Sequence, residues 1–118
     1  MTRLVAWCVA FGLTCALEVP IVAWGTRGSE ARRGRALGVA LLAQACTHPL
    51  VWFAFPALPL LGPEPRFYLS ELFAWGAEAT LYWWLLRGVS GWRALGVAGL
   101  ANATSLAAGL LLGDLLNF

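Results

Sequence analysis

The chain has 118 residues, which is the length of one small domain. Apolar residues make up 60% of it and charged residues 12%, against about 45–50% and about 25% in an average soluble domain. So few polar side chains cannot cover a soluble fold, and the same composition excludes a disordered chain. The net charge of +2 rests on few charges and does not indicate nucleic-acid binding. The composition therefore predicts a protein that is solvated by the lipid bilayer.

Four apolar runs are long enough to cross a bilayer as helices, which takes about 20 residues each. In chain order they span residues 4–24, 36–55, 68–86 and 94–112. None of them alternates polar and apolar residues as the strands of a membrane barrel do. We therefore predict an all-α membrane protein, with residues 1–118 forming a single domain of four transmembrane helices.

Arginine is concentrated in two of the three predicted loops. Residues 25–35 and 87–93 contain six of the eight basic residues, whereas the N-terminus and the second loop contain only Arg3 and Arg66. The positive-inside rule then predicts that the first and third loops are cytoplasmic and that both termini lie outside. Because every basic residue is arginine and Ala, Leu and Gly dominate, the composition is typical of a GC-rich bacterial gene. We expect a multi-pass protein of the inner membrane.

Prolines interrupt the second span and fill the loop that follows it. Proline lacks the backbone N–H and its ring clashes with the preceding turn. We therefore expect a kink at His48–Pro49 and the end of the helix near Pro56. Residues 56–65 are expected to form an outer interfacial loop.

Two segments of the chain are nearly identical. Residues 35–47, RALGVALLAQACT, match residues 93–105, RALGVAGLANATS, at nine of thirteen positions with an offset of 58. Polar side chains correspond as well: Gln44 with Asn102, Thr47 with Ser105, and Glu18 with Glu78 if the first loop has two extra residues. The match predicts two tandem helical hairpins, at about residues 4–61 and 68–113. Chance similarity between two Ala-, Leu- and Gly-rich spans is the alternative.

Hairpins of two spans return the chain to the same side of the membrane. The predicted internal repeats are therefore parallel, and a pseudo-two-fold axis along the membrane normal relates them. Parallel repeats occur in transporters, where the binding site lies between the halves. They also arise from duplication without any transport function.

Ionisable side chains inside the spans are the candidate functional groups, because each costs roughly 2.5–3.5 kcal/mol to insert. Each predicted helix carries its polar residues on one face, so a bundle can gather them on its axis. The candidate binding residues are Glu18, Gln44, His48, Glu71, Glu78, Tyr82, Asn102 and Ser105. No arginine lies at the depth of Glu18 or Glu78, so each carboxyl is expected to be protonated or to accept a hydrogen bond. The candidate donors are His48, Asn102 and Tyr82.

Three classes of function fit these residues. Buried glutamates that carry protons or cations would make the chain a transporter or a channel. Glutamates and amides that only join helices would make it a structural or accessory subunit of a larger membrane complex. The third class is a metal-dependent membrane enzyme, with Glu18, His48 and Glu78 as candidate ligands. The chain has no HExxH or ExxH motif, the sequence identifies no cofactor, and a non-enzymatic role is preferred.

The expected partners are the bilayer and other membrane-embedded chains. Four spans bury little surface for a complete transport path, so we expect a homo-oligomer or a complex with other membrane subunits. Gly109 and Gly113 form a GxxxG pattern, which allows close helix packing within the bundle or against a second copy.

The segment Ala16-Leu17-Glu18-Val19 places a glutamate within the first of four spans. In outline the chain resembles the small multidrug-resistance transporters, which are four-span proteins of near this length with an essential glutamate in the first span. The resemblance implies that Glu18 exchanges protons for a cation. It covers the number of spans and this segment, whereas Pro20, Glu78 and the Thr47-His48-Pro49 segment differ from the pattern of that family.

Overall fold

The computed structural model describes residues 2–116. Met1 and residues 117–118 lie outside the described residues, and so does the predicted location of both termini. Within this range the chain forms four α-helices and no strand. They are α1 (Arg3–Gly25), α2 (Arg33–Pro49), α3 (Pro63–Leu85) and α4 (Gly91–Leu116). The prediction of an all-α fold is confirmed.

Three of these helices are long and apolar enough to span a membrane. They are α1, α2 together with its continuation to Ala57, and α4. The third predicted span, which corresponds to α3, is not among them, because Glu71 and Glu78 lower its hydropathy. Length and composition are therefore compatible with a membrane protein and support three of the four predicted spans.

Each helix packs against its neighbours in the sequence, and α4 closes the ring by packing against α1. The side chain of Arg35 donates to the carbonyl of Leu85, and that of Arg93 donates to the carbonyl of Gly25. These contacts place the end of α1, the start of α2, the end of α3 and the start of α4 together. Consecutive helices are therefore antiparallel. We call this end of the bundle, with residues 25–35 and 85–93, the arginine end, and the opposite end, with residues 50–66, the proline end.

Small residues form the closest helix contacts of the core. One face of α2 buries Ala36, Ala40 and Ala43, and one face of α4 buries Ala94, Ala98 and Ala101. Side chains this small let helix backbones approach closely, as is typical of packing in lipid. The outer surface exposes Leu and Trp side chains, and at the arginine end these include Trp24, Trp84 and Trp92. Tryptophan favours the interface between membrane and water.

The second span is irregular where the prolines predict it. After Pro49 the backbone passes into a π-helical turn, Leu50–Ala54, and then into a 3₁₀ turn, Phe55–Ala57, before the helix ends. Proline removes an N–H and crowds the preceding carbonyl, which widens the turn. The expected end of the helix near Pro56 is confirmed, and the irregularity expected at Pro49 takes the form of this π-helical turn.

Helix α3 begins five residues before the predicted start of the third span. Pro63 occupies the first turn, Gly62 is the N-cap, and Glu64 lies where the helix dipole favours a negative charge. The predicted start at residue 68 was wrong. It was placed where the apolar run begins, whereas the residues that initiate the helix lie upstream of that run. Residues 63–65 consequently belong to a helix and not to the loop.

Candidate functional site

A polar cluster lies on the axis of the bundle and takes side chains from all four helices. Its members are Glu18 of α1, Gln44 and Thr47 of α2, Glu78 of α3, and Asn102 and Ser105 of α4. Both glutamates are almost completely buried, with 2% of Glu18 and 1% of Glu78 exposed. Helical spacing brings these side chains together, because each helix turns one polar face towards the axis.

Glu18 accepts hydrogen bonds from two other helices. The amide of Gln44 donates to its Oε2, and the hydroxyl of Ser105 lies in contact with its Oε1. Both oxygens of this carboxyl group therefore have a partner, and α1 is joined to α2 and to α4 at this depth.

Glu78 is held in a matching way. The hydroxyl of Thr47 lies 2.8 Å from Oε1, and the amide nitrogen of Asn102 lies 2.6 Å from Oε2. The same Asn102 nitrogen is 2.8 Å from the carbonyl of Ala98 in its own helix, which fixes its direction. Asn102 was one of the predicted donors, and the structure confirms it.

Gln44 bridges the two carboxyl groups. Its side-chain nitrogen donates to Oε2 of Glu18 and, at 3.1 Å, to Oε1 of Glu78. An amide NH₂ has two hydrogens, so these two bonds use its donor capacity completely. Two acids on different helices therefore share one neutral donor.

A cavity of about 270 Å³ extends from this cluster towards the proline end. Its inner part is lined by members of the cluster, including Glu18 and Glu78, and its outer part by Trp52, Gly109 and Leu112. Tyr82 and Leu86 are buried on the other side of the cluster, towards the arginine end. The cavity thus reaches both carboxyl groups from one end of the bundle.

Glu71 lines the same cavity nearer the proline end. It also lines a second cavity of about 470 Å³, together with Arg3, Arg66 and Ser70. Trp52 and Glu71 belong to the walls of both cavities, which are therefore adjacent. The two cavities together extend from the proline-rich loop to the polar cluster.

His48 lies beside the cavity and does not hydrogen-bond to either central glutamate in the described part of the chain. Its Nε2 is 3.4 Å from the hydroxyl of Thr14, and its ring packs among those of Trp7, Phe11 and Trp52. The prediction that His48 is a donor to Glu18 or Glu78 is wrong, because aromatic packing holds the imidazole one turn away from Gln44.

Tyr82 is the other predicted donor that does not reach the glutamates. It is fully buried one turn beyond Glu78 on α3, and its hydroxyl has no hydrogen-bond partner within residues 2–116. Tyr82 shares the helix face of Glu78 as predicted, but it packs in the core between the cluster and the arginine end.

Several polar contacts of the folded chain were not predicted from the sequence. In the sequence Thr47 was recognised only as the counterpart of Ser105, and Thr14 was not considered. The side chain of Arg66 donates to the carbonyls of Pro56 and Leu61, so it organises the proline-rich loop. Position on a helix face could have indicated Thr47, whereas the loop contacts depend on turn geometry that apolar patterning does not encode.

The candidate metal ligands do not form one ligand set. No three His, Cys, Asp or Glu side chains in residues 2–116 are arranged to hold a metal ion. Glu18 and Glu78 share the donor Gln44, whereas His48 contacts Thr14.

Comparisons with known protein families, with curated proteins and with solved structures gave no match. The resemblance to the small multidrug-resistance transporters therefore rests on the expected number of spans and on Glu18. Function has to be argued from the polar cluster and its cavity.

Proposed function

We propose that the chain is a proton- or cation-coupled membrane transporter in which Glu18 and Glu78 bind the transported charge. The observation that carries this proposal is the cavity that extends from the proline end to both buried carboxyl groups. Acidic residues within membrane spans face the bundle interior and commonly mark ion pathways and proton relays.

The proposal includes α3 as the fourth span. Its 23 residues measure about 34 Å at 1.5 Å per residue, which is enough to cross the hydrocarbon core. It packs between α2 and α4, and its outer face exposes Leu69, Leu72 and Trp83. Because Glu78 faces the axis, the acid that lowers the hydropathy of this helix is shielded from lipid.

Charge balance supports a role in exchange. No arginine side chain within residues 2–116 forms a hydrogen bond or an ion pair with Glu18 or Glu78. Two ionised carboxylates sharing Gln44 would repel each other in a poorly solvated site. The cluster therefore requires a proton or a cation, and the cavity gives that species a route of entry.

The proposed transporter is a duplicated hairpin with a pseudo-two-fold axis. Each hairpin has an amide that donates to its own glutamate, Gln44 to Glu18 and Asn102 to Glu78. Each hairpin also has a hydroxyl that contacts the glutamate of the other hairpin. Thr47 contacts Glu78, and Ser105 contacts Glu18. These four contacts follow the pattern that a two-fold relationship predicts, whereas the bond from Gln44 to Glu78 has no counterpart from Asn102 to Glu18 within the described residues.

The buried faces of α2 and α4 add support for the duplication. Ala36, Val39, Ala40 and Ala43 are buried, and so are the residues 58 positions later, Ala94, Val97, Ala98 and Ala101. The helix-end contacts also correspond, since Arg35 donates to Leu85 and Arg93 donates to Gly25. Similar packing at equivalent positions is what an internal repeat predicts.

The positive-inside rule orients the proposed transporter. With the arginine end in the cytoplasm, the cavity opens towards the outside and is closed on the cytoplasmic side by Val22, Tyr82 and Leu86. This would be an outward-open arrangement of a protein of the bacterial inner membrane. Passage to the other side requires those core side chains to move, or a second copy of the chain to complete the path.

Proton flux into vesicles tests the proposal. Purified protein is reconstituted with a pH-sensitive dye inside, and a potassium diffusion potential drives protons inward. We expect the wild type to acidify the vesicles faster than protein-free controls, and Glu18→Gln with Glu78→Gln to abolish the difference. Glu64→Gln, at the exposed start of α3, should retain the flux. Equal flux in the double variant and the wild type would overturn the proposal.

A structural role is the second candidate, and one observation favours it. All four oxygens of Glu18 and Glu78 accept hydrogen bonds, so the cluster is a complete set of contacts joining four helices. An accessory subunit would show no flux in vesicles and would co-purify with other membrane proteins.

A further inference from the structure

We propose that the groove between α1 and α2 at the arginine end binds an anionic phospholipid. The groove contains a cavity of about 670 Å³. Its walls combine apolar side chains with two arginines, and the residues that matter for binding are Pro20, Ala23, Trp24, Arg27, Arg33 and Leu37. This site is separate from the polar cluster and does not depend on the transport proposal.

The polar part of the groove fits a phosphate. The guanidinium of Arg27 lies over the ring of Trp24 at 4.4 Å, and one of its nitrogens donates to the carbonyl of the same residue. Stacking and this hydrogen bond hold the planar group at the cavity wall, and the hydrogen bond uses only one of its five N–H groups. Arg33 supplies a second positive charge from the first turn of α2. Two arginines at one cavity favour an anion with several acceptor oxygens.

The apolar part of the groove fits an acyl chain. Pro20 and Ala23 of α1 and Leu37 of α2 continue the cavity wall from the arginines towards the middle of the bundle. These residues lie on helices that are apolar enough to span a membrane. A lipid placed here sets its headgroup at the arginines and its tail along the helices, whereas a soluble anion would leave the apolar wall uncovered. Basic pockets of this kind between spans bind acidic lipids.

The other hairpin provides an internal comparison. The corresponding groove between α3 and α4 holds a cavity of about 520 Å³ lined by Gly76, Ala79, Thr80, Trp83, Gly91, Trp92 and Leu95. Gly91 stands where α2 has Arg33, and Trp83 stands where α1 has Ala23. This cavity has no arginine in its wall, so charge complementarity selects the first hairpin alone.

The remaining charges at this end do not compete for the phosphate. Glu30 is directed towards Arg87, at 3.9 Å, and does not line the groove. The side chain of Arg93 donates to the carbonyls of Gly25 and Arg27. Arg35 donates to the carbonyl of Leu85, and Arg32 does not line the groove, so Arg27 and Arg33 are its arginines.

Lipid retention measured by native mass spectrometry tests the site. The full chain is incubated in detergent with phosphatidylglycerol or with phosphatidylcholine, and bound lipid is counted during titration. We expect one phosphatidylglycerol to bind in preference to phosphatidylcholine. Arg27→Gln with Arg33→Gln should weaken this binding on the order of 25-fold, which corresponds to about 2 kcal/mol for two basic contacts. Arg32→Gln with Arg87→Gln removes the same charge outside the groove and should change binding less than about threefold.

Two further measurements distinguish lipid binding in the groove from attraction to general surface charge. Leu37→Trp fills the apolar wall without changing any charge and should also abolish preferential binding. Inorganic phosphate should not displace the lipid, because it cannot cover that wall. The proposal is overturned if the two arginine pairs weaken binding equally, if Leu37→Trp binds like the wild type, or if inorganic phosphate displaces phosphatidylglycerol.

Discussion

Ser105 of the last helix contacts the carboxyl group of Glu18 in the first helix, 87 residues away in sequence. The contact closes the ring of four helices at the depth of the polar cluster. Thr47 does the same for Glu78 between α2 and α3, at 2.8 Å. The acids are therefore both the candidate binding groups and the points at which the two hairpins are joined.

Removing the hydroxyl of Ser105 is expected to destabilise the bundle modestly. Ser105→Ala leaves one oxygen of Glu18 without its partner, and hydrogen bonds between membrane helices contribute about 0.6–2 kcal/mol. The free energy of unfolding can be measured by titration with denaturing detergent. Thr104→Ala is the matched control, because Thr104 bonds only the carbonyl of Leu100 in its own helix. Equal losses in the two variants would show that Ser105 does not join the hairpins.

Gln44 should matter more than either hydroxyl, because it serves both acids. Gln44→Leu removes the donor to Oε2 of Glu18 and one of the two donors to Oε1 of Glu78, which keeps Thr47, and a buried group left without a partner costs about 1–3 kcal/mol. We expect a loss of unfolding free energy at least twice that of Ser105→Ala. A Gln44→Leu protein as stable as the wild type would contradict the bridging role.

The sequence predicts the helices and the polar faces well, because apolar length and helical spacing determine both. It identifies Glu18, Gln44, Glu78, Asn102 and Ser105, and these side chains converge. It cannot choose among the donors on one face. His48 and Asn102 look equally suitable in the sequence, but aromatic packing keeps His48 away, whereas Asn102 lies opposite Glu78.

Two other features depend on tertiary structure that patterning does not encode. Arg35 and Arg93 indicate topology in the sequence, yet in the fold they also bind the carbonyls that end α3 and α1. The cavity beside the polar cluster is lined by Val51 and Trp52 of the π-helical turn after Pro49, and apolar patterning does not indicate such a turn.

Close packing of α1 against α4 at the arginine end predicts a steric effect at Gly25. A Cβ atom there would lie 2.6 Å from a methyl carbon of Val97, and overpacking of this kind typically costs about 1–3 kcal/mol. Gly25→Ala should lower the melting temperature, and adding Val97→Ala should restore part of the loss. Gly12→Ala, where the added atom meets open space, should have little effect. If Val97→Ala does not relieve the defect, the contact is not the cause.

Thiol labelling tests the orientation and the accessibility of the cavity together. In a variant without the native cysteines, Glu71→Cys lines both cavities and should react with a membrane-impermeant reagent added outside the cell. Ala79→Cys, buried at the core, should be protected, and Arg32→Cys should react only after the cytoplasm is opened. Labelling of Arg32→Cys from outside in intact cells would reverse the orientation.

The central claim is that the acids carry charge in addition to joining helices. The most direct test compares the proton flux of the Glu18→Gln variant with that of the Ser105→Ala variant. Glu18→Gln removes the ionisable group, whereas Ser105→Ala keeps it and removes only its partner. The transport account predicts that Ser105→Ala retains most of the wild-type flux in vesicles and that Glu18→Gln loses at least about tenfold, a change of ~1.4 kcal/mol in the barrier. Equal flux in the two variants, at matched amounts of folded protein, would contradict it.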